Sequence, residues 1–241
     1  MAKAAKAAKL VLKSSRRASH RGRQPAAESA TRLNESAYKL ILDALFDRRI
    51  AAGAFMSQST LVELLGMPIQ PLRDALRVLE VEGLLTIHPR AGIEFLKADM
   101  GLIRSTYQFR IIIETAAVRS YAERAPIEHI DALLEDHSEF IRDVETGRAS
   151  GNLAKLHVLE RRMHGDLIES LENPLIVSTV NRLQNYTALI LMDRPDTAPL
   201  IIRTLREHVR VLEACRSRDA DSAASEITVH LNSAMHRAMG L

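Results

Sequence analysis

The chain of 241 residues has a single cysteine, no tryptophan and only 4% aromatic residues. One thiol, Cys215, excludes a disulfide framework within the chain and fits a reducing compartment. No apolar run approaches the roughly 18 residues that span a bilayer, and the N-terminal segment lacks the hydrophobic core of a secretory signal. These absences predict a cytoplasmic protein with no membrane association. With bulky rings scarce, the 46% hydrophobic content rests on leucine, isoleucine and alanine. That balance favours helices packed on helices, and the length suffices for two modest domains, each with a core.

The net charge of +3 conceals an asymmetry. Residues 1–33 hold nine Lys or Arg against one acid, Glu28, so they carry +8 and the rest of the chain −5. The segment is rich in Ala, Lys, Arg and Ser with little to bury, which predicts a disordered basic tail. It reads equally as a solvated tail or as a loose phosphate-binding arm.

From residue 34 to residue 97 the pattern becomes that of a folded unit. A helix over Glu35–Arg49 places Ala37, Leu40, Ile41, Ala44 and Leu45 inward, with the Gly53 region closing it. Ser57 or Ser59 can cap a second helix with Leu61, Leu64 and Leu65 on one face, and Gly66 supplies the positive φ that ends it. Pro71 falls in the first turn of a third helix, where its missing N–H is no loss, and Leu72, Ala75, Leu76 and Leu79 form the buried stripe. Gly83 stops that helix. Alternation in Leu85–Ile87 and again in Ile93–Phe95, around the turn His88-Pro89-Arg90-Ala91-Gly92, predicts a two-stranded ribbon. Two helices meeting at a tight glycine turn, followed by such a ribbon, make a winged helix-turn-helix whose second helix can enter a major groove.

Residues 96–101 read as the join. From Leu102 the pattern is helical to the end, with breaks near Pro126, Gly147 to Gly151, Asn173-Pro174, Arg194 to Pro199 and Arg218-Asp219, which gives about six helices over residues 98–241. The fold class expected is therefore mainly α: an N-terminal winged helix-turn-helix domain and a C-terminal all-helical bundle.

Three histidines of the second half fall on otherwise apolar helix faces. His164 shares a stripe with Leu156, Leu167 and Leu171; His208 lies with Leu205, Val209, Leu212 and Cys215; His230 lies with Ile227, Leu231 and Ala234. Glu160 precedes His164 by four residues, so both can reach one point from a single helix. Singly, each would be a satisfied core histidine. Together they are a plausible set for Zn²⁺, or for Ni²⁺ or Mn²⁺.

At Pro71-Leu72-Arg73-Asp74-Ala75-Leu76, Leu79-Glu80 and Glu82-Gly83-Leu84 the sequence resembles the GntR superfamily of bacterial transcription regulators. The helical remainder resembles the FadR branch, whose effector domain is called FCD, in its shorter six-helix VanR-like form. The resemblance implies a homodimer bound to double-stranded operator DNA, commonly as a repressor, with an effector-binding and dimerisation domain. The family usually carries Ser-Arg-Thr before the recognition-helix proline, and here those places are Pro68, Ile69 and Gln70, so a helix cap and a DNA-contacting cation are replaced. The groove contacts expected are Gln70 and Arg73, then Arg77, with His88, Arg90 and the Gly92 amide on the wing. On an isolated helix Arg73 and Arg77 would read as a solvated face paired with Asp74 and Glu80; the helix-turn-helix setting turns that reading toward DNA.

Many FCD domains bind a divalent metal through an Asp four residues before a His, a His after a Glu, and a His on the last helix. Glu160, His164, His208 (after Glu207) and His230 occupy those places, with Glu in the place of Asp. The resemblance further implies a small carboxylate effector on the metal, aided by an arginine at the position of Arg110, with Glu114, Tyr107 and Tyr121 on the same helix side. An intrahelical Arg110–Glu114 pair is the plainer reading. Asn185 is a second candidate for the effector pocket. Two other functions use the same residues: a metal-dependent hydrolase on the His and Glu set, for which no separate base or nucleophile stands out, and an architectural DNA-binding protein relying on the basic tail.

Overall fold

The computed structural model describes residues 24–148, 153–192 and 197–240. Of the expected disordered tail over residues 1–33, the part up to residue 23 lies outside them, and residues 24–33 are helical, a correction to the expectation. The described residues form two compact units, one from residues 24–49 together with Phe55–Glu94, the other from Ile50–Ala54 and the described residues from Phe95 onward.

The first unit contains α1 (Gln24–Phe46), β1 (Phe55–Met56), α2 (Gln58–Leu65), α3 (Ile69–Val81), β2 (Leu85–His88) and β3 (Gly92–Phe95). Helix α1 starts earlier than the expected Glu35, because the Ala-rich stretch before it has high helix propensity. It ends earlier too, at a turn where Arg48 takes φ 60°. Ser57 caps α2, its Oγ accepting from the Thr60 amide at 3.1 Å, and Gly66 closes the helix at φ 62°. Pro68 stands at the N-cap of α3 and makes no side-chain bond there. The far end of α3 is a two-bond glycine closure: Leu84 N–H donates to Leu79 O and Gly83 N–H to Glu80 O, both at 2.9 Å.

Leu61, Leu72, Ala75, Leu76 and Leu79 are buried against Ala37, Ile41, Ala44 and Leu45 of α1. Truncating one such leucine to alanine costs about 2–5 kcal/mol. Leu64, expected inward, is 39% exposed. The ribbon is a three-stranded sheet in the order β1-β3-β2, with Phe55 opposite Glu94 and Met56 opposite Ile93. Strand β1 is a correction to the sequence reading: two residues are too few to show an alternation.

The second unit is helical: α4 (Met100–Arg124), α5 (Ile127–Glu145), α6 (Leu153–Glu169), α7 (Pro174–Leu191), α8 (Ala198–Arg216) and α9 (Ala220–Ala238). Local chemistry sets the boundaries. Asp99 caps α4 by accepting from the Leu102 amide, Asn173 caps α7 with Pro174 at its first position, and Asp219 caps α9. Arg218 closes α4 from a distance, donating to the Ala122 and Ala125 carbonyls at 2.7 and 2.8 Å. Helix α4 packs on α9, α5 on α8 and α8 on α9. The core between them includes Val118, Leu133, Leu167, Val211, Leu212, Cys215, Ile227 and Leu231. No described helix is long and apolar enough to cross a membrane.

Candidate metal centre and nucleic-acid interface

Helix α3 presents Gln70, Arg73 and Arg77 on its exposed face, each with a neighbour. Gln70 Nε2 donates to Asp74 Oδ1 at 3.2 Å, and Arg77 lies 3.8 Å from the same oxygen. Arg73 Nε donates to Gln58 Oε1 at 3.0 Å, tying α3 to α2. Surface pairs of this kind contribute little and exchange readily for a phosphate or a base edge. On the wing, His88 Nε2 lies 2.9 Å from Glu94 Oε2, and Arg90 sits exposed at the tip with φ 65°. Gly92 is required sterically: a Cβ there would lie 2.8 Å from the Phe55 ring and 2.9 Å from Met56 O.

In the helical unit, α6, α8 and α9 bring His164, His208 and His230 together. Their ligand nitrogens lie within 4.8 Å of one another. Burial holds His208 well below its ordinary pKa, reinforced by the other imidazoles and Arg110. Burial also lowers His230, with Glu207 opposing.

Carboxylates orient two of the three rings. Glu114 Oε2 lies 2.6 Å from His164 Nδ1, and Glu207 Oε2 lies 2.9 Å from His230 Nδ1. A carboxylate only accepts, so the Nδ1 of each ring carries the proton and the Nε2 of the neutral ring is left bare. Each carboxylate is in turn held by an arginine. Arg110 Nε donates to Glu114 Oε1 at 2.6 Å, and Arg237 donates twice to Glu207, at 2.9 and 3.0 Å. Burial alone would push both carboxyls up. Arg110 and His164 override it and hold Glu114 far below the carboxylate range, while His230 and Arg237 bring Glu207 down to about 2. At Arg110 burial works to lower the pKa, and Glu114, with Tyr107 and Glu160, raises it overall.

The donor set fits a divalent ion. His208 Nε2 and His230 Nε2 are 3.3 Å apart, and at a metal–nitrogen distance of about 2.1 Å that separation subtends about 104°, close to tetrahedral. Three imidazoles with room for a further ligand are a familiar open zinc arrangement.

Glu160 is not part of the ligand group. It sits one turn before His164, lines the adjoining cavity and lies in the field of Arg110. That cavity, about 50 Å³, is also lined by Tyr107, Arg110, His164, Thr204, His230 and Arg237. Arg110 therefore reaches it, beside a Tyr107 ring whose centroid is 5.5 Å from the guanidinium. Asn185 does not line this cavity; from α7 the lining residue is Leu191. Tyr121, four turns beyond Tyr107, faces the core and His129 instead. Sequence reasoning missed Glu207 and Arg237 as partners, and His137, which lies 3.3 Å from His208. His137 belongs to the α5 stripe Ile130, Leu133, Phe140 and Val144, so its inward direction was there to be read.

A winged helix with a solvent-facing third helix, on a chain that continues as a helical bundle, defines a DNA-binding regulator. The chain belongs to the gntR family of bacterial regulatory proteins, whose model matches residues 33–95, and residues 105–233 match the FCD domain. It is a transcription regulator. It is similar to the uncharacterized HTH-type transcriptional regulator YdhC of Bacillus subtilis, 22% identical over 195 residues that cover 81% of this chain and 86% of that protein. It is also similar to the HTH-type transcriptional repressor RspR of Escherichia coli K12, 23% identical with 83% of this chain and 86% of that protein covered. Among solved structures, E. coli McbR/YncC shares the fold with a TM-score of 0.69 at 16% identity, over 88% of this chain and 97% of that one.

Proposed function

We propose that this regulator is a cytoplasmic homodimeric repressor whose operator affinity is set by a small carboxylate bound beside a divalent metal ion in the helical domain. In this reading the basic residues 1–33 lead into the DNA-binding unit and include the start of α1, 34–97 read the operator and 98–241 bind effector and dimerise. The convergence of three imidazoles, two with their Nδ1 atoms held by carboxylates, is the observation that carries it. His164, His208 and His230 would hold the ion, with zinc the best match to three nitrogens and nickel or manganese as alternatives. The bound ion supplies a positive centre with an open position for a carboxylate oxygen. Arg110 and Arg237 line the cavity beside it, and its size suits an acid of a few heavy atoms.

On the DNA side, Arg73, Gln70 and Arg77 face the groove, with His88, Arg90 and the Gly92 amide on the wing. A homodimer matches a two-fold operator, one recognition helix per half-site. The effector acts by binding one arrangement of the two reading heads better than another, which shifts operator affinity by that difference.

The test uses the full chain, an operator selected from random DNA, and a panel of small acids with and without chelator. Expected are about one zinc per chain, an operator affinity that at least one acid changes by roughly 5-fold or more, and loss of that response in chelator. Absence of bound metal, or an operator affinity indifferent to every acid, overturns the mechanism while leaving the family assignment standing.

A further inference from the structure

We propose that His137 is the positioning residue that keeps His208 in its metal-ligating form. The inference rests on the metal reading above. His137 lies on α5, is fully buried, and belongs to neither the ligand group nor the cavity lining. Both of its ring nitrogens are placed. Nδ1 lies 2.7 Å from the Leu133 carbonyl oxygen, one turn back on the same helix, and Nε2 lies 3.3 Å from His208 Nδ1.

The protons follow from what each neighbour can do. A carbonyl oxygen only accepts, so His137 Nδ1 donates to it. His137 is fully buried with its one N–H spent on the Leu133 carbonyl, and in that neutral ring Nε2 is an acceptor. It faces His208 Nδ1, which satisfies it only by carrying a proton. His208 Nε2 is then bare and points toward His230 Nε2, itself bare because Glu207 holds the other nitrogen.

His208 has a competing form. With its proton on Nε2 it would donate to His230 Nε2 across the same 3.3 Å. That hydrogen bond would occupy two of the three ligand atoms and would have to break before a metal could enter. It would also set the bare Nδ1 of His208 against the bare Nε2 of His137, 3.3 Å away. His137 thus gives the ligating form a hydrogen bond of its own and sets a facing pair of bare nitrogens against the blocking form. An apolar side chain at position 137 would leave the His208–His230 hydrogen bond unopposed.

The test takes the full-length protein, the variants His137→Met and His137→Gln, and zinc alone as probe. Zinc affinity is measured by competition with a chromogenic chelator, and the imidazole tautomers of the metal-free protein by nitrogen-15 NMR. His137→Met should lose roughly 10- to 100-fold in zinc affinity, and the Nδ1–H form of His208 should disappear from its spectrum. His137→Gln offers an amide oxygen in place of the ring nitrogen and should recover most of the affinity. The proposal is overturned if folded His137→Met binds zinc as tightly as the wild type, or if folded His137→Gln is as weak as His137→Met. Should His137→Met fail to fold, the wild-type spectrum decides, since His208 wholly in its Nε2–H form overturns the proposal unaided. A wild-type protein that binds no zinc overturns the metal reading itself, a result distinct from a working site indifferent to position 137.

Discussion

Glu207→Gln is the sharpest perturbation of the helical domain that does not require a metal to be present. The carboxylate accepts from His230 Nδ1 at 2.9 Å, from Arg237 at 2.9 and 3.0 Å, and from the more exposed Arg203 at 3.2 Å. Arg237 has only 10% of its side chain exposed, so neutralising Glu207 leaves a buried guanidinium without its counter-ion. Removing one partner of a buried pair costs about 3–5 kcal/mol. Independently, the depression of Glu207 from 4.5 to about 2 corresponds to roughly 3 kcal/mol of stabilisation at neutral pH. At about 2–4 °C per kcal/mol for a protein of this size, the helical transition should fall by roughly 6–20 °C.

The assay is thermal unfolding by circular dichroism at pH 7 in chelator, with Arg237→Met and the double variant completing the cycle. The double variant should regain much of the loss, because both charges leave together. A depressed carboxyl contributes stability that is present above its unfolded value of 4.5 and fades as pH falls toward 2. Wild type should therefore lose stability more steeply than Glu207→Gln between those values, with Glu114, depressed in the same sense, supplying the residual slope. A loss below about 1 kcal/mol, within the range of a surface pair, or identical slopes in the two proteins, would refute the reasoning.

Gly92→Ala should destabilise the DNA-binding unit by about 1–3 kcal/mol, since the new methyl group meets Met56 O, a backbone atom that cannot swing aside; an unchanged urea midpoint for that unit would contradict it. Arg73→Ala should weaken binding to the selected operator by about 1–3 kcal/mol and relax preference at one base position, whereas equal affinity for all sequences tested would assign the side chain to its Gln58 contact alone. The Cys215 thiol, pushed up to about 12 by burial, should resist alkylation in the native protein at pH 8 and react at the rate of opening. Rapid labelling under native conditions would show that this core is not closed.

The DNA-binding unit was legible because its signals are local. Gly66, Pro71 and Gly83 each act within a few residues of themselves, and the stripe Leu72, Ala75, Leu76 and Leu79 declares its face by spacing alone. The inward direction of His164, His208 and His230 was legible for the same reason. Periodicity says which side of a helix faces in, but not what it meets there. Glu114 could be paired with Arg110 from its position four residues away, yet its second oxygen belongs to His164 on another helix. Glu160 shows the converse: correct spacing to His164 could not reveal that the carboxylate falls outside the group of mutually close ligand atoms. Strand β1 and the outward Leu64 fail differently, since an element of two residues and a helix of eight carry too little pattern to decide direction.

What the packing adds is a connection between the cavity and the ligand histidines. Arg110 joins Glu114, which joins His164; Arg237 joins Glu207, which joins His230. Both arginines line the cavity assigned to the effector. In that reading, an acid that drew either guanidinium toward itself would take a donor from the carboxylate behind it. That carboxylate would become the stronger acceptor for the imidazole N–H, and the imidazole the more basic ligand. Effector and metal would then favour each other reciprocally through these two chains as well as through direct contact. Because the direct contact requires the open metal position while the relay requires only the arginines, Arg237→Met should reduce the coupling between acid and zinc without abolishing it.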